Sequence, residues 1–229
     1  SAAMYCAALL LGTSFMFFFV AVQGVTGAVG TPEVRGRNYS LLSVGFSIAS
    51  FIGPLIAGFS IDHLGYRQAL LVLSACIACS LIALWRGGYL IPRPSQKAKS
   101  QIEQSVLDLL RIAPLRRIFI ASGFMSGAWD LYNFYMPVYA HSIKLSASAI
   151  GMILATFSAA TLVIRIFLPR MLKNHDEVRI LTVAIFIAGI AYFLFPFFEN
   201  PWALGAVSFL LGLGLGDRKS TRLNSSHIT

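Results

Sequence analysis

At 229 residues the chain is 57% hydrophobic and only 12% charged, far more apolar than an ordinary soluble domain. The apolar residues gather into runs of 18 or more with few charges, the pattern of membrane-crossing helices. A soluble domain is excluded by that pattern, and enzyme chemistry has no support: no nucleophile–base pair, metal-ligand cluster or phosphate loop is visible.

In chain order, nearly complete spans are expected at 4–27, 38–60, 68–86, 117–139, 147–169 and 180–198, and a seventh begins near Trp202. The second span carries Gly45, Gly53, Pro54 and Gly58. Glycine and proline weaken helices in water but are tolerated in a bilayer, where small residues let helices approach closely. It is followed by a polar turn, SIDHLGYR, in which Asp62 and Arg67 flank Gly65 and are placed to pair. The longest polar connection runs from about Gly87 to Pro114. Within it Ile102, Val106, Leu109 and Leu110 recur at helical spacing, predicting a short amphipathic helix on the membrane surface.

The +9 charge is distributed by side of the membrane. Arg35 and Arg37, then Arg86, Arg93, Lys97, Lys99, Arg111, Arg116 and Arg117, then Arg170, Lys173 and Arg179 fall in or beside alternate connections. The other connections hold only Arg67 and Lys144. Twelve basic residues against two place 28–37, 87–116 and 170–179 in the cytoplasm and the N-terminus outside. The basic charge is thus read as topology, with the lipid bilayer and not nucleic acid as the partner. Cys6, Cys76 and Cys79 all lie in apolar spans, where packing is their expected role. The four histidines are scattered, so no metal and no cofactor is expected.

Both ends of the chain are unusual. SAAMYCAALL enters a span at once, without the charged region and cleavage site of a signal peptide, as in a chain cut upstream. At the other end FLLGLGLG reads as mid-membrane helix and turns abruptly into DRKSTRLNSSHIT. The first eleven of those residues match consecutive codons of a common sequencing-library adapter. Residues 217–229 are therefore read as an artefactual tail, which takes Arg218, Lys219, Arg222 and Asp217 out of the charge argument.

The residues also carry a family resemblance. TPEVRGRNYSLLSVG resembles the cytoplasmic link between the fourth and fifth helices of the major facilitator superfamily of secondary transporters. The helix after it is similar to that family's antiporter motif, G-x8-G-x3-G-P-x2-G-G, whose places are Ser40, Ala49, Gly53, Pro54, Ala57 and Gly58 here. The Gly-Pro pair and the last glycine are kept, and the other three are small residues. IDHLGYR is similar to the outer link into the sixth helix. The resemblance implies an all-α, polytopic membrane protein: part of a twelve-helix fold, with six full transmembrane helices plus part of a seventh, numbered four to ten. It implies a division into 1–86 (the rest of an N-terminal bundle), 87–116 (a cytoplasmic central loop) and 117–216 (the start of a C-terminal bundle). The second-half loop motif departs from the family: Arg165 and Pro169 are followed by RMLKNHDEVR, without the expected D-R-x-G.

Asp130, in AWDLYNFYMPVY, is the leading candidate for transport chemistry. About 13 residues beyond Arg117, it lies roughly 20 Å into its span at 1.5 Å per residue. A carboxylate there is costly, and by default marks a site or a proton relay. The competing reading is a structural Asp paired across helices. Trp129, Tyr132 and Asn133 supply aromatic faces and hydrogen bonds beside it. Gln23, toward the cytoplasmic end of the first span, is open between substrate contact and an interhelical hydrogen bond. Arg165, near the cytoplasmic boundary, is read as snorkelling or tying the two bundles. Gly53, Pro54 and Gly58, with Arg35 and Arg37 in the link before them, are structural or gating candidates, ordinary helix crossing being the alternative.

The resemblance implies a secondary active transporter in the cytoplasmic membrane, exporting small molecules in exchange for protons by alternating access. A metabolite uptake symporter and a non-transporting membrane sensor or scaffold are the alternatives.

Overall fold

The computed structural model describes residues 2–29, 32–88, 113–174 and 177–216. Among them there is no strand. Seven helices follow in order: α1 (Ala2–Ala28), α2 (Pro32–Leu64), α3 (Tyr66–Gly87), α4 (Ala113–Ser142), α5 (Ala147–Asn174), α6 (Glu177–Leu194) and α7 (Pro201–Leu215). Helices α1, α2, α3 and α5 contain stretches long and apolar enough to cross a membrane, and α4 has 30 residues. The amphipathic segment expected near 102–110 and the tail from Asp217 lie outside the described residues.

Helix ends follow local chemistry rather than the edges of the apolar runs. Helix α2 opens on Pro32, whose missing N–H is no loss in a first turn, so it starts well before the apolar span expected from residue 38. The α2–α3 turn is made by Gly65 at φ +82°, a left-handed conformation that favours glycine. Helix α6 ends in a 3-10 turn, Phe195–Phe197, around Pro196. Helix α7 begins at Pro201, and the Asn200 side chain accepts from the Trp202 N–H at 3.0 Å.

The described residues form two compact units. One contains α1, α2 up to Gly45 and the end of α3 from Ala78. Here the α1–α2 turn is fastened twice: Asn38 Nδ2 donates to the Val29 carbonyl (2.8 Å) and the Tyr39 hydroxyl to the Gln23 carbonyl (3.1 Å). Gly27 gives Tyr39 its place, since a Cβ there would sit 2.6 Å from the hydroxyl oxygen.

The other unit contains residues 46–77 and the described residues from Ala113 onward. Its core is Tyr132, Met136 and Ala140 from α4, Ile153 and Phe157 from α5, Ala188 and Ala191 from α6, and Leu204, Val207, Leu211 and Leu215 from α7. The GLGLG run wedges α7 between two neighbours. Gly212 meets the Phe157 carbonyl of α5, and Gly214, on the opposite side of the helix, meets the Ala184 carbonyl of α6. A Cβ at either place would fall 2.4 or 2.7 Å from those oxygens. Large apolar side chains such as Phe124, Phe134, Phe186 and Phe193 remain exposed, as suits helices whose outer faces meet lipid. Cys6, Cys76 and Cys79 form no disulfide and lie on exposed faces rather than packed in a core.

Candidate functional site

The Asp130 region divides into two faces. Trp129, Tyr132 and Met136 follow one stripe of α4 and turn into the helical core. The Tyr132 ring, 2% exposed, stacks on Phe157 with centroids 4.3 Å apart and leans on Phe195 at 5.9 Å. Trp129 meets the same Phe157 edge-on at 4.8 Å. The Tyr192 hydroxyl donates to the Ala128 carbonyl and fixes α6 against α4. Buried hydroxyls of Tyr132 and Ser208 make no hydrogen bond among the described residues.

Asp130 lies about 200° around the helix from Tyr132 and is exposed, beside exposed Leu131 and Phe134. It falls near the middle of the 30-residue helix, some 4 Å beyond its midpoint at 1.5 Å per residue. No hydrogen bond to its carboxylate is formed among the described residues. Asn133 is on the same side, its amide donating to the Trp129 carbonyl one turn back (2.9 Å). The four α4 candidates are thus split, Asp130 and Asn133 outward and Trp129 and Tyr132 inward. Gln23 belongs to the other unit, half-buried on α1. Arg35 and Arg37 are exposed on the first turns of α2.

The second half of α2 and helix α5 form an antiparallel seam of backbone contacts. Gly58 meets Ala147, and Gly151 meets Pro54; a Cβ at either glycine would fall 2.4 Å from the opposing carbonyl oxygen. Gly53, by contrast, meets nothing from another helix within 4 Å of where a Cβ would stand among the described residues. Of the retained motif residues, Gly58 is therefore the one demanded by close approach, and Pro54 is received by Gly151.

Pro54 has a further consequence. Its missing N–H leaves the carbonyl four residues back, that of Ser50, without its intrahelical donor. The Ser158 hydroxyl on α5 donates to that oxygen at 2.9 Å. Two turns further along α5, the Arg165 guanidinium donates to the buried Ser47 hydroxyl and, through Nε, to the Gly216 carbonyl at 3.4 Å. Arg165 thus ties α2, α5 and the end of α7.

At the opposite end of the seam Asp62 does not pair with Arg67. Its carboxylate accepts from the Ala147 N–H (3.0 Å), the Ser148 N–H (2.7 Å) and the Ser148 hydroxyl (2.5 Å) at the start of α5. The first N–H groups of a helix have no intrahelical acceptor and favour a negative charge, so Asp62 gains three hydrogen bonds there where an exposed ion pair with Arg67 would add little. Neither Gly151, Ser158 nor Ser148 stood out in the sequence. The signal was present in the small-residue spacing Ala147, Gly151, Ala155.

A family model for the Major Facilitator Superfamily matches residues 1–216. The chain belongs to that superfamily. It is a multi-pass membrane protein, and the match stops at the residue before the adapter-like tail. Among curated relatives, it is similar to multidrug resistance protein MdtG of Citrobacter koseri, 25% identical over 206 residues, covering 85% of this chain and 50% of the relative. MdtG of Escherichia fergusonii is 26% identical over 209 residues (85% and 50%). The uncharacterized MFS-type transporter YfkF of Bacillus subtilis is 21% identical over 213 residues (91% and 53%). The chain spans about half the length of these superfamily relatives. No solved structure matches it.

Proposed function

We propose that the chain is part of a secondary active transporter that exports small molecules across the cytoplasmic membrane by alternating access, in exchange for protons. Superfamily membership over 1–216 supports transport, and the multidrug-resistance naming of several relatives supports export over uptake. The positive-inside distribution supports a cytoplasmic loop at 87–116 and an outer position for the Asp62 turn. Residues 1–86 and 117–216 are taken as parts of two bundles that rock against each other along the α2–α5 seam.

The observation that carries proton coupling is Asp130. An acidic side chain stands near the middle of α4, among exposed apolar residues, with no described donor on its carboxylate. A carboxylate at membrane depth is costly and by default marks a site or a relay, and the coupling step is assigned to it on that ground. Trp129, Tyr132, Asn133 and Gln23 are assigned supporting roles in substrate or proton handling, Trp129 and Tyr132 by bracing the face that carries Asp130.

The test is made on the full-length reading frame in liposomes, with ethidium as a lipophilic cationic probe. Asp130→Asn should abolish uphill movement driven by a pH gradient while leaving dye exchange down its own gradient. Uphill transport at the unsubstituted rate in Asp130→Asn would remove Asp130 from the coupling step.

A further inference from the structure

We propose that Asp62 is a releasable latch: its carboxylate holds the outer ends of α2 and α5 together when the transporter is closed to the outside, and lets go when that side opens. The proposal deepens the alternating-access reading and rests on it for the meaning of open and closed.

The start of α5 has a complete set of partners. The first N–H groups of a helix have no intrahelical acceptor. Ser146, the residue just before α5, serves two of them locally: its hydroxyl accepts from the Ala149 N–H (3.2 Å) and its carbonyl from the Ile150 N–H (3.1 Å). The remaining two, at Ala147 and Ser148, are taken by a carboxylate 85 and 86 residues away on another helix. The Ser148 hydroxyl adds a third bond to the same group. Helix α5 does not need Asp62 in order to form, because water can satisfy two exposed N–H groups. What Asp62 adds is a connection between helices.

The seam is graded along its length in a way that suits a latch at one end. Ser47, Gly58, Gly151 and Ser158 are buried, and the Ser158–Ser50 bond sits between packed helices. Asp62 is exposed, so water competes for its bonds and their rupture leaves no buried polar group unmatched. Parting the Asp62 end while the Ser50–Ser158 and Ser47–Arg165 rungs remain is therefore the least costly way to open the seam. Gly58, in contact with Ala147 and Ser148, sets the distance at which the carboxylate reaches both N–H groups.

The test is a distance measurement that involves no transport. In the 229-residue chain in lipid nanodiscs, with Cys6, Cys76 and Cys79 replaced by serine, spin labels are placed at Leu64→Cys and Lys144→Cys. Electron–electron resonance then reports the separation of the helix ends. A dominant short distance is expected with Asp62 intact. A second, longer population should rise several-fold in Asp62→Asn and further in Asp62→Ala, the scale of losing a helix cap. Asp62→Asn keeps the side-chain volume, so the comparison survives if Asp62→Ala folds poorly. A purely structural cap would lower the melting temperature and leave the distance unchanged. An unchanged distribution in Asp62→Asn, or in a folded Asp62→Ala, overturns the latch. Because no substrate moves in this measurement, failed transport by the full-length frame would count against the transport reading and not against the distance result.

Discussion

Replacing Gly151 by alanine tests the seam at its tightest point. The added Cβ would lie 2.4 Å from the Pro54 carbonyl oxygen and 3.1 Å from its carbonyl carbon. Both are backbone atoms in a helix, so no side chain can swing aside. Restoring ordinary contact at about 3.4 Å requires the helices to separate by about 1 Å. If α5 moves as a rigid rod, the Asp62 bonds to Ala147 and Ser148 lengthen from 3.0 and 2.7 Å to roughly 4.0 and 3.7 Å, beyond hydrogen-bond range. Overpacking of this kind costs about 1–3 kcal/mol. Gly53→Ala is the matched control, because its Cβ meets nothing within 4 Å and alanine is the better helix former. It should be neutral or stabilising by up to about 1 kcal/mol. The assay is unfolding of the chain by SDS in mixed micelles, with the fluorescence of Trp129, packed on Phe157, reporting the α4–α5 contact. Equal stabilities for Gly151→Ala and Gly53→Ala would refute the close approach.

The same seam gives a double-mutant cycle. Ser158→Ala should cost about 1 kcal/mol by stripping the donor from the Ser50 carbonyl, and in a Pro54→Ala background, where the backbone N–H is restored, it should cost close to nothing. Equal costs in both backgrounds would show that Ser158 does not compensate for Pro54. In the aromatic core, Tyr132→Phe should be neutral to stabilising by about 1 kcal/mol, since it removes a buried hydroxyl that has no hydrogen-bond partner among the described residues. Tyr192→Phe, which loses the bond to the Ala128 carbonyl, should cost about 1 kcal/mol in the same unfolding assay.

The membrane class, the order of the spans and the Gly-Pro helix were legible in the sequence because each depends on local composition. Composition also led to Asp130, a charge conspicuous in an apolar run. What the sequence left open depends on which helices meet. Asp62 and Arg67 are five residues apart and invited pairing, but the N–H groups that Asp62 binds belong to residues more than eighty positions on. The glycines of α2 could not be ranked without their neighbour: Gly58 faces backbone and Gly53 faces open space. Likewise Trp129 and Tyr132 carry the same polar handles as a binding site would, and only the position of Phe157 turns them inward. The start of α2 was not legible for a different reason. An apolar span marks the membrane, whereas the helix runs on past Arg35 and Arg37 to Pro32.

Proton-coupled export is tested most directly by imposing a pH gradient, acidic outside the cell-facing side, on liposomes containing the full-length protein and following ethidium. The expected result is dye movement against its own gradient, reversed in direction when the pH gradient is reversed. Dye distribution that stays indifferent to the gradient, in protein shown to be folded and inserted, would contradict it.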